Sequence, residues 1–158
     1  MDEWVRIKAS NLYAYYIYDG ETYEDVRVDV NFENRGVNSQ QVSLVCRKSE
    51  EGWYEFSVQS DGLWYLWAVT MNSEGKVIYN RVANGGSTKI KQGKAENEYG
   101  LLCQGEKISF FINGTEPKGS PVAERKFAYR RGSVGLNVSS LRAIPVLIEI
   151  DWFKVSEP

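Results

Sequence analysis

Hydrophobic and polar residues alternate with a period of two along most of this chain. In residues 26–32, for example, valine and phenylalanine occupy the even positions while Arg27, Asp29 and Asn31 occupy the odd ones. Such alternation is typical of a strand with one buried and one solvated face. No stretch of ten residues keeps a helical spacing, so the pattern predicts a protein built from strands.

Residues 53–67 give the strongest local signal, since they hold two alternating segments and three of the five tryptophans. The segments are joined at Asp61-Gly62, a turn sequence that tolerates the positive φ of tight hairpins. Trp64 and Leu66 share the buried phase of the second segment, so Tyr65 and Trp67 are predicted to face outward. A β-hairpin is therefore expected here.

The same pattern recurs, with about eleven short strands separated by glycine, asparagine, aspartate and serine. Turns every 8–12 residues indicate a two-sheet sandwich or a barrel, and the pattern alone leaves both open. Pro145 is expected at the start of the last strand, because proline inside a central strand removes a hydrogen bond. The clearest of these strands span 12–18, 26–32, 42–47, 54–59, 63–68, 77–82, 99–104, 107–112, 134–138 and 146–155.

Composition adds limits on size and partners. The 158 residues are predicted to form a single domain, 1–158, and the start at Met1-Asp2-Glu3 is typical of a domain taken from a longer protein. Hydrophobic residues make up 42% and charged residues 25%, as in soluble globular proteins. A net charge of −2 without a basic stripe argues against nucleic acid, and no apolar run is long enough to insert into a membrane.

The chain contains no histidine and two cysteines, Cys46 and Cys103. Nucleophilic schemes that need a histidine base are therefore excluded within this chain. Two isolated cysteines do not make a tetrahedral zinc site without other ligands, so no zinc ligands are predicted.

The order of several short motifs resembles the concanavalin A-like lectin/glucanase superfamily, which includes laminin-G-like, pentraxin and laminarinase-type domains, and especially its bacterial extracytoplasmic modules. The resemblance covers residues 25–155. It implies an all-β, two-sheet antiparallel jelly-roll sandwich, a fold that serves hydrolases, lectins and adhesion modules alike. The motifs are Tyr54-Glu55-Phe56-Ser57-Val58, Asp61-Gly62, Phe110-Phe111-Ile112-Asn113-Gly114, Gly132-Ser133-Val134-Gly135-Leu136 and the closing strand around Asp151.

The segment Glu149-Ile150-Asp151 bears on whether the chain is an enzyme. It resembles part of the Glu-x-Asp-x-x-Glu motif of laminarinase-type glucanases. Retaining hydrolysis needs two carboxyl groups about 5–5.5 Å apart. Lys154 occupies the position of the second glutamate here, and lysine does not replace that acid at neutral pH. We therefore predict that the chain is not an enzyme.

A ligand site is predicted on the outward face that carries Tyr65 and Trp67. The neighbouring strand should present Glu55, Ser57 and Gln59 on the same side, and Trp53 either borders the site or caps the end of the sandwich. Aromatic rings beside amide and carboxylate groups suit sugars, whose C–H faces stack while their hydroxyls form hydrogen bonds. The alternative is that another strand, a loop or a subunit covers this face.

The resemblance also suggests a disulfide between Cys46 and Cys103, with two buried free thiols as the alternative. A disulfide would place the domain outside the cytoplasm. Calcium is a minor expectation taken from relatives that bind it. Candidate ligands are the acidic side chains predicted in turns: Asp19, Glu21, Asp61 and Glu74.

The tyrosines of the first predicted strand are expected to have a structural role rather than a role in binding. Tyr13, Tyr15, Tyr16 and Tyr18 are good strand-forming residues, and at least half of them are expected to face the core.

Together these observations predict a non-catalytic recognition module for carbohydrate, on the cell surface or in a secreted protein. The alternatives are a structural or protein-adhesion module, a sensor domain of a larger protein and, less favoured, a glycoside hydrolase. Oligomeric state is not predicted.

Overall fold

The computed structural model describes residues 3–158, which form twelve strands and no helix. The prediction of an all-β chain is confirmed. The strands are β1 (Glu3–Ile7), β2 (Tyr13–Tyr23), β3 (Val26–Asn34), β4 (Gln40–Lys48), β5 (Gly52–Gln59), β6 (Leu63–Met71), β7 (Val77–Gly86), β8 (Glu96–Gln104), β9 (Lys107–Ile112), β10 (Val122–Ala123), β11 (Gly132–Ser140) and β12 (Val146–Ser156).

The strands form two antiparallel six-stranded sheets. Sheet A has the order β1-β12-β3-β8-β9-β10, and sheet B has the order β2-β11-β4-β5-β6-β7. Several neighbours in these sheets are far apart in sequence, as in a jelly roll, so the sandwich rather than the barrel is correct. No helix among residues 3–158 is long and apolar enough to cross a membrane.

The predicted hairpin is confirmed as β5 and β6. Glu55 lies opposite Trp67, and Ser57 lies opposite Tyr65. Gly62 has a φ of +96°, which an L residue rarely adopts, so the turn requires glycine at this position.

One continuous hydrophobic core fills the space between the two sheets. Phe56 of sheet B stacks on Phe110 of sheet A with ring centroids 4.7 Å apart, and Trp64 lies 4.7 Å from the same ring. All three side chains are almost completely buried. The core therefore uses the alternate residues that the period of two assigns to it.

Cys46 on β4 and Cys103 on β8 form a disulfide, so the suggested bond is present and the free-thiol alternative is wrong. Both residues are fully buried. Because β4 belongs to sheet B and β8 to sheet A, the bond links the two sheets covalently through the core.

The segment between β9 and β11 covers one side of the sandwich. Glu124 is buried and accepts hydrogen bonds from the backbone N–H groups of Lys126, Phe127 and Ala128 and from the Tyr54 hydroxyl. These bonds hold the segment against sheet B, and the ring of Tyr129 packs 5.0 Å from that of Tyr54.

Two strands, β1 and β10, were not expected. Two of the four tyrosines of β2, Tyr16 and Tyr18, face the core side as predicted, since they lie opposite the core residues Leu136 and Val134, but neither is buried there. Tyr13, Tyr16 and Tyr18 are 53%, 48% and 50% exposed. Tyr16 and Tyr18 stay exposed because β2 is the edge strand of sheet B and a cleft between the sheets opens beside it, whereas Tyr13 lies on the outer face of the sheet. Pro145 directly precedes β12, in agreement with its predicted place at a strand start.

Candidate binding site on the concave face of sheet B

Sheet B is strongly curved. The hydroxyl of Tyr15 on β2 lies 2.5 Å from the hydroxyl of Tyr79 on β7, although these strands form the two edges of the sheet. In a flat sheet five strand spacings would separate them by about 24 Å, more than two tyrosine side chains can span. The outer surface of sheet B, which carries both side chains, is therefore concave, and we call it the concave face.

Buried polar side chains from three adjacent strands line the base of the concave face. Asn137 donates to Glu55 over 3.1 Å, Ser57 donates to Glu55 over 3.3 Å, and Ser43 donates to Ser57 over 2.8 Å. Ser139 donates to the side-chain oxygen of Asn137. These five residues, at most 1% exposed, form a continuous network that we call the polar floor: Ser43, Glu55, Ser57, Asn137 and Ser139.

Glu55 is the centre of the polar floor. Its Oε1 accepts hydrogen bonds from the Tyr15 hydroxyl at 2.6 Å and the Trp53 indole at 3.0 Å, while its Oε2 accepts those of Ser57 and Asn137. Burial raises the pKa of the Glu55 carboxyl, although the hydrogen bonds from Tyr15, Trp53 and Asn137 oppose that change by stabilising the charged form. The donors leave little capacity for a ligand to bind the carboxylate directly.

The raised pKa of Glu55 predicts a specific pH dependence of stability. Because the folded protein holds this proton more tightly than the unfolded chain, the contribution of Glu55 is fully present below its ordinary value of 4.5. That contribution decreases as the pH rises through the folded-state pKa. Glu55→Gln does not titrate, so the stability of the native protein relative to this variant should fall with rising pH.

Chemical denaturation of both proteins at a series of pH values measures this difference, and the other titrating groups cancel between them. A difference that stays constant with pH would contradict the assignment of a raised pKa to Glu55.

Aromatic rings surround one end of the polar floor. Tyr15 packs edge-on to Trp53 with centroids 5.8 Å apart, and Tyr13 lies 5.9 Å from Tyr79. Trp67 packs edge-on to Tyr79 at 6.0 Å. Apart from the exposed Tyr13, these rings and the aliphatic side chains near them form a second, smaller hydrophobic cluster outside the main core, which explains why Glu55 is inaccessible.

Tyr65 and Trp67 face outward on β6, as expected, and both are half-buried. Their rings stack on each other with centroids 5.3 Å apart and planes inclined by 17°. A ligand would therefore meet the ring pair from its edges or from the outer side of Tyr65. The prediction of two outward aromatic side chains is confirmed, whereas their use in binding stays a prediction.

The other predicted site residues differ in accessibility. Gln59 is half-buried and donates to the side-chain oxygen of the buried Gln41 over 3.3 Å. Glu55, Ser57 and Trp53 share the same face but are at most 4% exposed. The structure thus brings all six residues together, and leaves Tyr65, Trp67 and Gln59 as the accessible ones.

The alternation pattern does not identify the hydrogen-bond partners that reach Glu55 from other strands. Tyr15 and Asn137 reach Glu55 from β2 and β11, which are 40 and 82 residues away in sequence. Their only sequence signal is that polar residues occupy strand positions between apolar ones. Pairing of β2, β11 and β4 is a long-range property that alternation does not encode.

The partial glucanase motif lies elsewhere. Glu149 and Asp151 belong to β12 in sheet A, so they are not on the concave face of sheet B. Glu149 forms an ion pair with Arg35 at 3.3 Å, and Asp151 is exposed at an irregularity in the pairing of β12 with β3.

The acids considered for calcium are dispersed over the fold. Asp19 and Glu21 lie in β2, while Asp61 and Glu74 lie in turns, where Asp61 accepts a hydrogen bond from the backbone of Leu63. Within residues 3–158, no group of three or more histidine, cysteine or acidic side chains could hold a metal ion.

The sequence matches no known family profile and no curated protein. Solved structures give clear matches. The carbohydrate-binding module CBM66 from Bacillus subtilis is similar with a TM-score of 0.68 at 10% identity, covering 99% of this chain and 92% of that one.

Two other neighbours have different activities. A family 16 glycoside hydrolase from a mixed-linkage glucan utilisation system of Bacteroides ovatus has a TM-score of 0.62 at 8% identity, covering 86% of this chain and 71% of that one. Sheep galectin-11 has a TM-score of 0.58 at 9% identity, covering 95% of this chain and all of that one. Binding proteins and hydrolases both occur among the neighbours. The order of strands and these similarities show that the chain has a concanavalin A-like jelly-roll fold.

Proposed function

We propose that this chain is a non-catalytic carbohydrate-recognition module that binds its glycan on the concave face of sheet B. The observation that carries the proposal is the accessible aromatic pair, Tyr65 and Trp67, which shares the concave face with the half-buried amide of Gln59 and with the buried polar floor. Sites for small ligands combine apolar walls with a few placed polar groups, and this surface has both.

The chemistry of a sugar fits these side chains. Its C–H faces would pack against the outer side of Tyr65 and the edge of Trp67, while its hydroxyl groups would pair with the amide of Gln59. Gln59 donates one hydrogen bond to the buried Gln41, so its amide keeps a second N–H donor and its acceptor oxygen for a ligand. The interaction would need no charged group.

The buried residues of the predicted site would support the binding surface beneath the ligand rather than contact it. These residues are Glu55, Ser57 and Trp53. Glu55 fixes Tyr15 and Trp53 by hydrogen bonds, and Trp67 lies directly opposite Glu55 in the neighbouring strand. The binding surface is therefore preorganised, which reduces the ordering cost of binding.

The surroundings of Glu55 support binding rather than hydrolysis. Retaining and inverting glycosidases use a pair of carboxyl groups. None of the side chains that hydrogen-bond to Glu55 or lie opposite it in the neighbouring strands is acidic: they are Tyr15, Ser43, Val45, Trp53, Ser57, Trp67 and Asn137.

The buried disulfide supports a place outside the cytoplasm, where such bonds persist. The carbohydrate-binding module and the galectin among the neighbours support a glycan partner. The module would thus act on the cell surface or within a secreted protein.

A glycan array, probed with and without calcium, tests this function. The native protein should bind a restricted set of glycans, and Tyr65→Ala with Trp67→Ala should weaken that binding at least about tenfold, a loss of about 1.4 kcal/mol. Phe111→Ala is a matched control, because Phe111 is a half-buried aromatic residue on the outer side of sheet A.

Equal melting temperatures of the double variant and the control would show that the rings are not needed for folding. Native protein that binds no glycan in either condition, or binding that survives the double substitution, would contradict the proposal.

A further inference from the structure

The edge strand β2 has one side without a partner. It pairs with β11 on one side, and no other strand of the described chain pairs with it. Its backbone N–H and C=O groups on the free side are available to another strand. An edge of this kind is a template for pairing with a second chain.

Residues 13–18 of β2 carry no protection against such pairing. Their sequence is Tyr-Ala-Tyr-Tyr-Ile-Tyr, without charge or proline, and the irregularity in the pairing with β11 comes only after Tyr18. Monomeric proteins usually protect an edge strand with lysine, proline, a bulge or a covering segment. The first half of β2 therefore has the properties of an interface strand.

The core-facing side of β2 is also only partly covered. Tyr16 and Tyr18 lie opposite Leu136 and Val134, two buried core residues, yet their own side chains are about half exposed. A cleft of about 780 Å³ opens beside them between the two sheets. Its lining is mainly hydrophobic and includes Trp4, Val5, Tyr16, Tyr18, Leu136 and Ile150.

The opposite side of the sandwich shows how this fold closes such an opening. There the segment between β9 and β11 packs over the end of the core, held by Glu124 and Tyr129. Residues 3–158 provide no comparable segment beside β2. The two sides of the sandwich therefore differ in what covers them.

We propose that a second copy of this chain covers this side, with β2 pairing antiparallel to β2 of the other copy about a twofold axis at Tyr16. Residues directly opposite in an antiparallel pair share a face. This register places Ala14 opposite Tyr18, so the small side chain leaves room for the large one, and Tyr15 opposite Ile17. Asp19 lies at the periphery, opposite Tyr13.

A second copy fits better than a glycan or a charged partner. The free edge offers a regular row of backbone groups, which an extended strand satisfies and a sugar does not. The segment is uncharged, so two identical strands do not repel each other. The inner tyrosines of one copy would cover those of the other, and the two clefts would be closed together.

The pairing would join the two copies of sheet B into one continuous sheet of twelve strands. The two concave faces would then lie on the same surface, and a ligand that presents repeated groups could bind both. The dimer itself does not depend on what the concave face binds.

Sedimentation equilibrium of the native protein over a wide concentration range tests the proposal. The native protein should dimerise, and Tyr16→Lys should raise the dissociation constant about a hundredfold or more, since it places two like charges at the twofold axis. Ile78→Lys is the matched control, because Ile78 is 47% exposed on the other edge strand of the same sheet.

A monomer at all concentrations would overturn the proposal. So would a dimer that resists Tyr16→Lys, or one that dissociates with Ile78→Lys instead. Circular dichroism verifies that both lysine variants are folded.

A cysteine variant gives a positive test that does not depend on disrupting the dimer. Residues directly opposite in an antiparallel pair have Cα atoms about 4.5–5.5 Å apart, within the range of a disulfide. Tyr16→Cys should therefore form a covalent dimer rapidly under mild oxidation, and Ile78→Cys should not. Equal rates for the two variants would overturn the proposed pairing.

Discussion

Replacing Cys46 and Cys103 together by alanine is expected to lower the free energy of unfolding by about 4 kcal/mol. The disulfide closes a sequence separation of 57 residues, and the loop-entropy relation gives this value for a closed loop of that length. The two cysteines are fully buried, so the lost sulfur contacts add to the effect. Equilibrium denaturation in guanidinium, followed by tryptophan fluorescence, measures the change.

Reducing agent supplies the control for this prediction. The native protein should lose most of the same stability on reduction, whereas the double alanine variant should be insensitive to the reductant. Native protein whose denaturation midpoint does not change on complete reduction would contradict a stabilising role of the bond.

The disulfide also ties the concave face to the rest of the sandwich. Sheet B presents its outer face to the ligand, and its inner face must be fixed to sheet A if the curvature is to persist. Cys46 belongs to β4, which lies in the middle of sheet B and carries Ser43 of the polar floor. The covalent link therefore anchors the strand beneath the proposed site.

The hairpin of β5 and β6 shows what alternation can predict. Trp64 and Leu66 are core residues, and Tyr65 and Trp67 face outward beside Gln59, all from a local pattern with a turn at Gly62. Period-two alternation assigns each side chain to a face, and a tight turn fixes the register between adjacent strands. Alternation does not predict how the strands are arranged in the two sheets. That arrangement was predicted from the order of motifs, which resembles the concanavalin A-like superfamily.

The burial of Glu55 shows what alternation cannot predict. The pattern assigns Glu55 correctly to the outer face, but that face is concave, and Tyr15 and Tyr79 from its two edges meet above the carboxylate. Curvature depends on the twist and pairing of all six strands. The accessible part of the site is consequently smaller than the six residues that share the face.

The tyrosines of β2 illustrate a second limit. Tyr16 and Tyr18 have the core-facing phase, yet they are half exposed, since burial also depends on what lies across the sandwich. Alternation describes a strand relative to its own sheet. It does not reveal that β2 forms an edge, where the second layer is incomplete.

Glu55→Ala is expected to lower the free energy of unfolding by about 3 kcal/mol and to abolish the proposed glycan binding. Truncation removes the acceptor of four hydrogen bonds, and each buried donor left unpaired costs about 1–3 kcal/mol. Tyr15 can still pair with Tyr79, and Ser57 with Ser43, so the loss falls mainly on Trp53 and Asn137.

Glu55→Gln is the matched control, because it keeps the shape of the side chain and one acceptor oxygen. It should lose less stability than Glu55→Ala and should retain binding, since the rings above it stay in place. Denaturation and glycan binding of the two variants, measured side by side, separate the role of Glu55 in stability from its role in binding. A loss below about 1 kcal/mol in Glu55→Ala would mean that the polar floor does not hold the concave face together, because its unpaired donors would have cost almost nothing.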